Sequence, residues 1–141
     1  MVNRIEQMPT WLLSRANARA QAIRVEAFAA AGSSGYLSRL MASLADDGAS
    51  SQAELSRRTG IDPSDVVAAI NDLEARRFVK RKRDPHDGRR NVVTLTAAGR
   101  AELARLDAVV ADIQERVLAP LSRSERTNLQ RILAKLATGN D

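Results

Sequence analysis

Hydrophobic and polar positions follow a helical period over most of the chain and change to a strand-like pattern only once. From Pro9-Thr10 to about Ala31, Leu12, Ala16, Ala20, Ile23 and Ala27 fall on one stripe, with Arg15, Arg19 and Arg24 elsewhere. That spacing predicts a long helix whose small alanines let another helix approach closely. Gly32-Ser33-Ser34-Gly35 ends it. Leu37, Leu40, Met41 and Leu44 give a second helix, roughly 34–46, a clear apolar face, and Asp47-Gly48 closes it. Ser51-x-x-Glu54 has the spacing of a capping box, so a short third helix starts near Gln52. Gly60 suits a left-handed terminator. In Asp62-Pro63-Ser64-Asp65 the aspartate caps, the proline fits the first helical position and Asp65 complements the positive helix start. The fourth helix then runs to about Arg76 with Val66, Ile70 and Leu73 inward.

The period changes at residues 78–83 and 91–95, where Val79, Val92, Val93, Thr94 and Leu95 have strand character on either side of the turn chemistry Asp84-Pro85-His86-Asp87-Gly88. Thr96 caps a fifth helix reaching about Leu118. Along it Leu103, Leu106, Val110, Ile113 and Val117 are spaced 3, 4, 3, 4, the seam used to pair helices. Pro120 breaks that helix. Ser122-x-x-Glu125 caps a sixth, striped by Leu129, Ile132, Leu133 and Leu136. The expected fold class is mainly α, six helices with a small two-stranded β-hairpin.

Composition agrees and removes several functions. The 141 residues are 44% hydrophobic but only 3% aromatic, and alanine and leucine dominate. With no cysteine and a single histidine, there is no disulfide scaffold, thiol switch or histidine-rich metal site to expect. No phosphate-cradling glycine loop and no nucleophile beside a placed base suggest an enzyme, and no cofactor is expected. The opening MVNRIEQMPTWLL lacks the apolar run of a signal peptide, and no stretch has the length of a membrane span, so a cytoplasmic protein is expected.

Charge is where the sequence is most uneven. The net charge is +5. Between Arg76 and Arg90 stand Arg76, Arg77, Lys80, Arg81, Lys82, Arg83, Arg89 and Arg90 against only Asp84 and Asp87, so this short segment carries the entire excess. A surface built for a polyanion concentrates charge in this way; a solvated face of mixed charge does not. Immediately upstream, QAELSRRTGIDPSDVVAAI (residues 52–70) reads as a helix-turn-helix with Gly60 at the corner and Leu55, Ile61 and Val66 apolar where the helices meet. By itself that unit is also compatible with an ordinary helical hairpin. Followed by a basic two-stranded hairpin it reads as a winged helix-turn-helix, with one helix for the major groove and the hairpin for the adjacent backbone and minor groove.

At this point the sequence resembles the MarR family of transcriptional regulators, from about Thr10 to Leu136. The wing segment DPHDGRRNVVTLTAAG (residues 84–99) carries the family's Asp, Arg, Leu-Thr and Gly as Asp87, Arg89, Leu95, Thr96 and Gly99, and QAELSRRTGI and NDLEARRFVKRKRD fit the flanking helices. The resemblance implies a single domain over 1–141, with dimerisation helices at about 10–31 and 100–137 and the winged helix-turn-helix at about 34–98. It implies a homodimer on double-stranded DNA, probing two half-sites about one helical turn, roughly 10 bp, apart. Arg89 would enter the minor groove. Asp87, with Gly88, would shape the wing through a charge-assisted bond to a nearby arginine. Leu12, Leu106, Val110, Ile113, Val117, Leu129, Ile132 and Leu133 would form the dimer interface. A small-molecule effector, often aromatic or anionic in this family, would bind near the dimer base and release DNA; Trp11 and Tyr36 are candidates to line its pocket, and core burial is their competing role.

Two departures qualify the resemblance. The recognition helix is plain: Ser64, Asp65, Val67, Ala68 and Asn71 are its candidates for base edges, with Val67 or Ala68 suited to a thymine methyl. Much of the affinity is therefore expected from phosphate contacts by Arg81, Arg83, Arg90, Ser51, Gln52 and Arg57. Phe78 also stands where a glycine is usual, so the corner from helix to wing is expected to differ. The function expected is a sequence-specific DNA-binding regulator, a repressor by preference. A non-specific architectural DNA binder and a winged-helix protein-interaction module are the alternatives.

Overall fold

The computed structural model describes residues 4–139; residues 1–3 and 140–141, included in the single-domain expectation, lie outside the described residues. A short 3-10 turn at Ile5–Gln7 precedes α1 (Pro9–Ala30), α2 (Gly35–Asp47), α3 (Gln52–Thr59) and α4 (Pro63–Ala75). Strands β1 (Val79–Arg83) and β2 (Asn91–Leu95) follow, then α5 (Ala97–Leu118) and α6 (Arg123–Thr138). The strands are antiparallel in the register Val79–Leu95 to Arg83–Asn91. Ser50 adds a rung on the other edge of β2, exchanging backbone hydrogen bonds with Val93 at 3.1 and 2.7 Å. Six helices and one hairpin match the pattern read from the sequence.

The start and stop signals act as their chemistry dictates. Ser34 accepts the Leu37 N–H at the head of α2, Asp62 accepts the Ser64 N–H with Pro63 inside α4, and Gly60 ends α3 with φ of 72°. At Ser122 both halves of the capping box form. At Ser51 only one half does. Ser51 Oγ accepts the Glu54 N–H at 3.1 Å, but the Glu54 carboxylate turns to the guanidinium groups of Arg90 and Arg58. Two cations outbid a single backbone donor for that carboxylate.

Contacts divide the chain into two compact units, residues 24–110 and residues 1–23 with 111–141. In the first, Leu40, Met41, Leu44, Leu55, Val66, Ile70, Leu73, Val79 and Val93 are all at most 2% exposed. They come from α2, α3, α4 and both strands, so one core seats the helix-turn-helix and the hairpin together. Cutting any of these leucines to alanine costs about 2–5 kcal/mol. Ala27, Phe28 and Leu106 are buried in the same unit.

The corner between α4 and β1 is the most constrained piece of backbone. The departure expected at Phe78 lies one residue earlier: Arg77 is the described non-glycine residue with positive φ, at 66°. Phe78 follows in place, its N–H donating to Leu73 O at 2.9 Å. Thr96 then ties the corner to α5. Its hydroxyl donates to Arg77 O (2.8 Å) and accepts the Gly99 N–H (3.0 Å), while its own N–H donates to Phe78 O (3.0 Å). A Cβ on Gly99 would sit 2.1 Å from Phe78 O, so only glycine lets α5 start this close to the corner.

In the second unit, Ile113 is 2% exposed and Arg19 donates to the carbonyls of Val117 (2.8 Å) and Arg116 (3.0 Å) at the end of α5. Helix α6 buries none of its residues: Ile132, Leu133 and Leu136 are 45%, 38% and 63% exposed. Among the described residues no helix is long and apolar enough to cross a membrane.

Two substitutions test the corner in thermal or denaturant melts. Gly99→Ala should cost about 1–3 kcal/mol or more, because its methyl meets backbone rather than a movable side chain. Arg77→Gly should raise stability by up to about 1 kcal/mol by relieving the left-handed residue. An unchanged melt for Gly99→Ala would refute the close approach.

Candidate nucleic-acid interface

Helices α3 and α4 meet at Gly60, locked by Leu55, Ile61 and Val66, each at most 3% exposed. With that side committed to the core, α4 turns Ser64, Asp65, Val67, Ala68 and Asn71 outward, all exposed. Val67 is 43% exposed, an apolar side chain open on the outer face of α4. Two of these polar candidates already have partners. The Ser64 hydroxyl donates to Asp62 Oδ1 at 2.7 Å, and that bond with the Ser64 N–H holds the Asp62 carboxyl below its ordinary pKa. Asn71 Oδ1 accepts from Arg81 at 2.6 Å. A cleft of about 390 Å³ lies beside this face, lined by Gln52 of α3, Val67 of α4 and Arg81, Asn91 and Val93 of the hairpin. Ser51 and Gln52 begin α3 at its rim, both half-buried, with Ser51 Oγ accepting the Glu54 N–H.

The hairpin sorts its cations by strand alternation. Val79, Arg81 and Arg83 share one face of β1, and Lys80 and Lys82 the other. Arg81 is not open to a partner: it donates to Glu74 Oε1 at 2.7 Å as well as to Asn71, bracing β1 against α4. Arg90 is likewise held, by Glu54 of α3 and by Asp84 at 3.6 Å. Arg76 pairs with Asp72 at 2.7 Å and donates to Gly32 O. Arg81 and Arg90, both expected to contact phosphate, are held in internal ion pairs in the protein without DNA. Among the described residues, Arg77, Lys80, Lys82, Arg83 and Arg89 are the wing cations left exposed without a carboxylate partner.

The tip folds through backbone bonds. Asp87 accepts the Arg89 N–H on its carboxylate (3.0 Å) and the Arg90 N–H on its carbonyl (3.0 Å); Asp84 accepts the His86 N–H (2.8 Å) and donates its own N–H to Arg90 O (2.7 Å). Asp87 thus shapes the wing, but the charge-assisted arginine bond expected of it belongs to Asp84 and Glu54. Gly88 is not in the left-handed region and a Cβ there would meet nothing within 4 Å, so the expected shaping role of this glycine is not needed. Arg89 projects from the tip, exposed.

Other expected residues separate in the same way. Arg57 is exposed, whereas Arg58 turns inward to Ser43, Ser50, Asp47 and Glu54. Leu106 and Ile113, expected at a dimer interface, are 1% and 2% exposed within the protomer and belong to its core; Leu12, Val110, Ile132 and Leu133 remain 37–50% exposed, and Val117 and Leu129 half-buried. Every second residue of the helix-five seam faces the chain itself, which a one-dimensional spacing cannot reveal. Trp11 is half-buried under Arg15, whose guanidinium lies 5.4 Å from its ring, and Tyr36 is 45% exposed in the other unit. Glu74 and Ser50 were not singled out in the sequence, and Glu54 and Asp84 were read only as a helix cap and a turn residue. Their importance comes from partners 6 to 43 residues away, which no local spacing marks. Among the described residues no group of His, Cys, Asp and Glu is arranged to hold a metal ion.

Known proteins share this fold. A sequence model of the MarR family matches residues 37–90. The chain is similar to the HTH-type transcriptional repressor NicR of Pseudomonas putida, 32% identical over 101 residues, which is 72% of this chain and 64% of the repressor. It therefore spans less than two thirds of that relative's length. A crystal structure of a probable transcriptional regulator from Pseudomonas aeruginosa superposes with a TM-score of 0.82 at 33% identity, covering 94% of this chain and 99% of the other. The structure of BpsR from Bordetella bronchiseptica, whose DNA binding is regulated by 6-hydroxynicotinic acid, superposes equally well, at 0.82 and 27% identity over 97% and 98% of the two chains. With the wing's fold, the helix-turn-helix and these likenesses in agreement, the chain belongs to the MarR family of winged helix-turn-helix proteins.

Proposed function

We propose that this protein is a transcriptional repressor that binds double-stranded DNA as a homodimer in the cytoplasm. The observation that carries the reading is the set of open cations on the hairpin, Arg77, Lys80, Lys82, Arg83 and Arg89, beside the exposed face of α4. In B-DNA the groove that accepts α4 lies next to phosphates spaced for such a hairpin. Arg89, alone at the tip, is the side chain for the minor groove, and Val67, Ala68 and Asp65 face the base edges. The likeness to a named repressor supports the sign of regulation.

Surface chemistry supports the homodimer. Leu12, Leu13, Ile132, Leu133 and Leu136 are large apolar side chains left exposed on α1 and α6. A groove of about 730 Å³ between α5 and α6 is lined by Leu118, Leu129, Leu133 and Ala137. A soluble chain that leaves a whole helix without a buried residue needs a partner surface, and a second copy offers the same stripe by two-fold symmetry. By likeness to BpsR, whose DNA binding 6-hydroxynicotinic acid regulates, the effector class is a small heteroaromatic acid, and 6-hydroxynicotinic acid is the first probe.

Arg89→Ala should weaken binding to duplex DNA recovered from wild-type-bound genomic fragments by about 1–3 kcal/mol, with the melting temperature unchanged. Equal affinity for the variant would remove Arg89 from the interface. Light scattering at micromolar concentration should give twice the 15.4 kDa chain mass. A single-chain mass would contradict the dimer.

A further inference from the structure

Three of the eight wing cations are neutralised from inside the protein, and two of these pairs cross from the hairpin to the helix-turn-helix. Glu54 of α3 holds Arg90, and Glu74 of α4 holds Arg81 at 2.7 Å with Asn71 assisting at 2.6 Å. The Glu54 side chain is 24% exposed and is shared with Arg58, which also reaches Asp47 at 3.4 Å and the hydroxyl of Ser50. Ser50 is fully buried and is itself the rung beside Val93. A continuous ionic chain therefore runs Asp47–Arg58–Glu54–Arg90–Asp84 from the end of α2, across α3, to the turn end of the wing. Arg90 stands next to Arg89, and Arg81 lines the cleft beside Val67.

We propose that Glu54 and Glu74 are specificity-setting positioning residues: they clamp the wing to both helices of the helix-turn-helix and withhold Arg90 and Arg81 from phosphate. This rests on the DNA-binding reading above. Phosphate contacts are blind to sequence, so each arginine kept from the backbone lowers binding to every duplex alike. The same ion pairs fix the angle of the wing to α4, which favours the duplex whose grooves match that angle. Affinity for random DNA is thus held down and discrimination is raised by the same two carboxylates.

The test uses the full-length protein, a random-sequence duplex and the duplex selected from wild-type-bound genomic fragments. Binding is measured across a salt series for wild type, Glu54→Gln, Glu74→Gln and the double variant. Asp107→Asn, an exposed α5 carboxylate, is the control that adds the same charge elsewhere. Glu54→Gln leaves the backbone N–H that Ser51 accepts, so α3 keeps its cap. On random DNA, log K against log salt should steepen by about 0.9 for each released arginine, near 2 for the double variant, with tighter binding at low salt. Preference for the selected duplex should fall. Glu54→Asp, which keeps the charge, should restore much of the wild-type slope. The proposal is overturned if the glutamine variants lose affinity for both duplexes in equal proportion, if their slopes match wild type, or if Asp107→Asn steepens the slope as much. Wild-type protein that binds neither duplex would instead overturn the DNA reading itself.

Discussion

Like charges crowded on a two-stranded hairpin repel one another, and the rest of this structure is arranged around managing that repulsion. A hairpin of two five-residue strands is marginal alone in water. Here its apolar residues, Val79 and Val93, are driven into the core shared with α2, α3 and α4. Its rungs are extended by Ser50, and its arginines at positions 81 and 90 are tied to carboxylates on α4 and α3. Individually, exposed ion pairs contribute little. Their effect here comes from sharing: one glutamate serves two arginines, and one arginine serves two carboxylates, so side chains ordered for one bond are already ordered for the next.

The corner at Arg77 gives the wing its direction. A left-handed arginine, a threonine hydroxyl that donates to one turn and accepts from another, and a glycine pressed against a carbonyl fix where β1 leaves α4 and where α5 begins. The hairpin is therefore aimed by backbone geometry and steadied by charge. Exposed cations can then be spent on a partner instead of on holding the fold.

Most of the architecture was legible because it is written in local signals. Gly60, Asp62-Pro63 and Ser122-x-x-Glu125 act over a few residues, and the switch from helical to alternating period marks the hairpin. What escaped the sequence is non-local. Glu54 reads as the second half of a capping box because its neighbours favour that role; its actual partner, Arg90, lies across the fold. Leu106 and Ile113 fit a heptad seam, yet the turn of α5 that carries them faces its own chain. Arg81 and Arg90 counted as DNA cations because composition records charge without recording who neutralises it. The residue types of the wing were visible, but which of its cations are paired inside the protein was not.

The central claim is that the unneutralised cations of the wing meet the phosphates of a DNA duplex. Titrating the wild-type protein with duplex DNA over a range of salt concentrations tests it most directly. Log K should fall linearly with log salt, steeply, by about 0.9 for each phosphate-bound cation. A flat profile, or no binding to duplex at low ionic strength, would contradict the account.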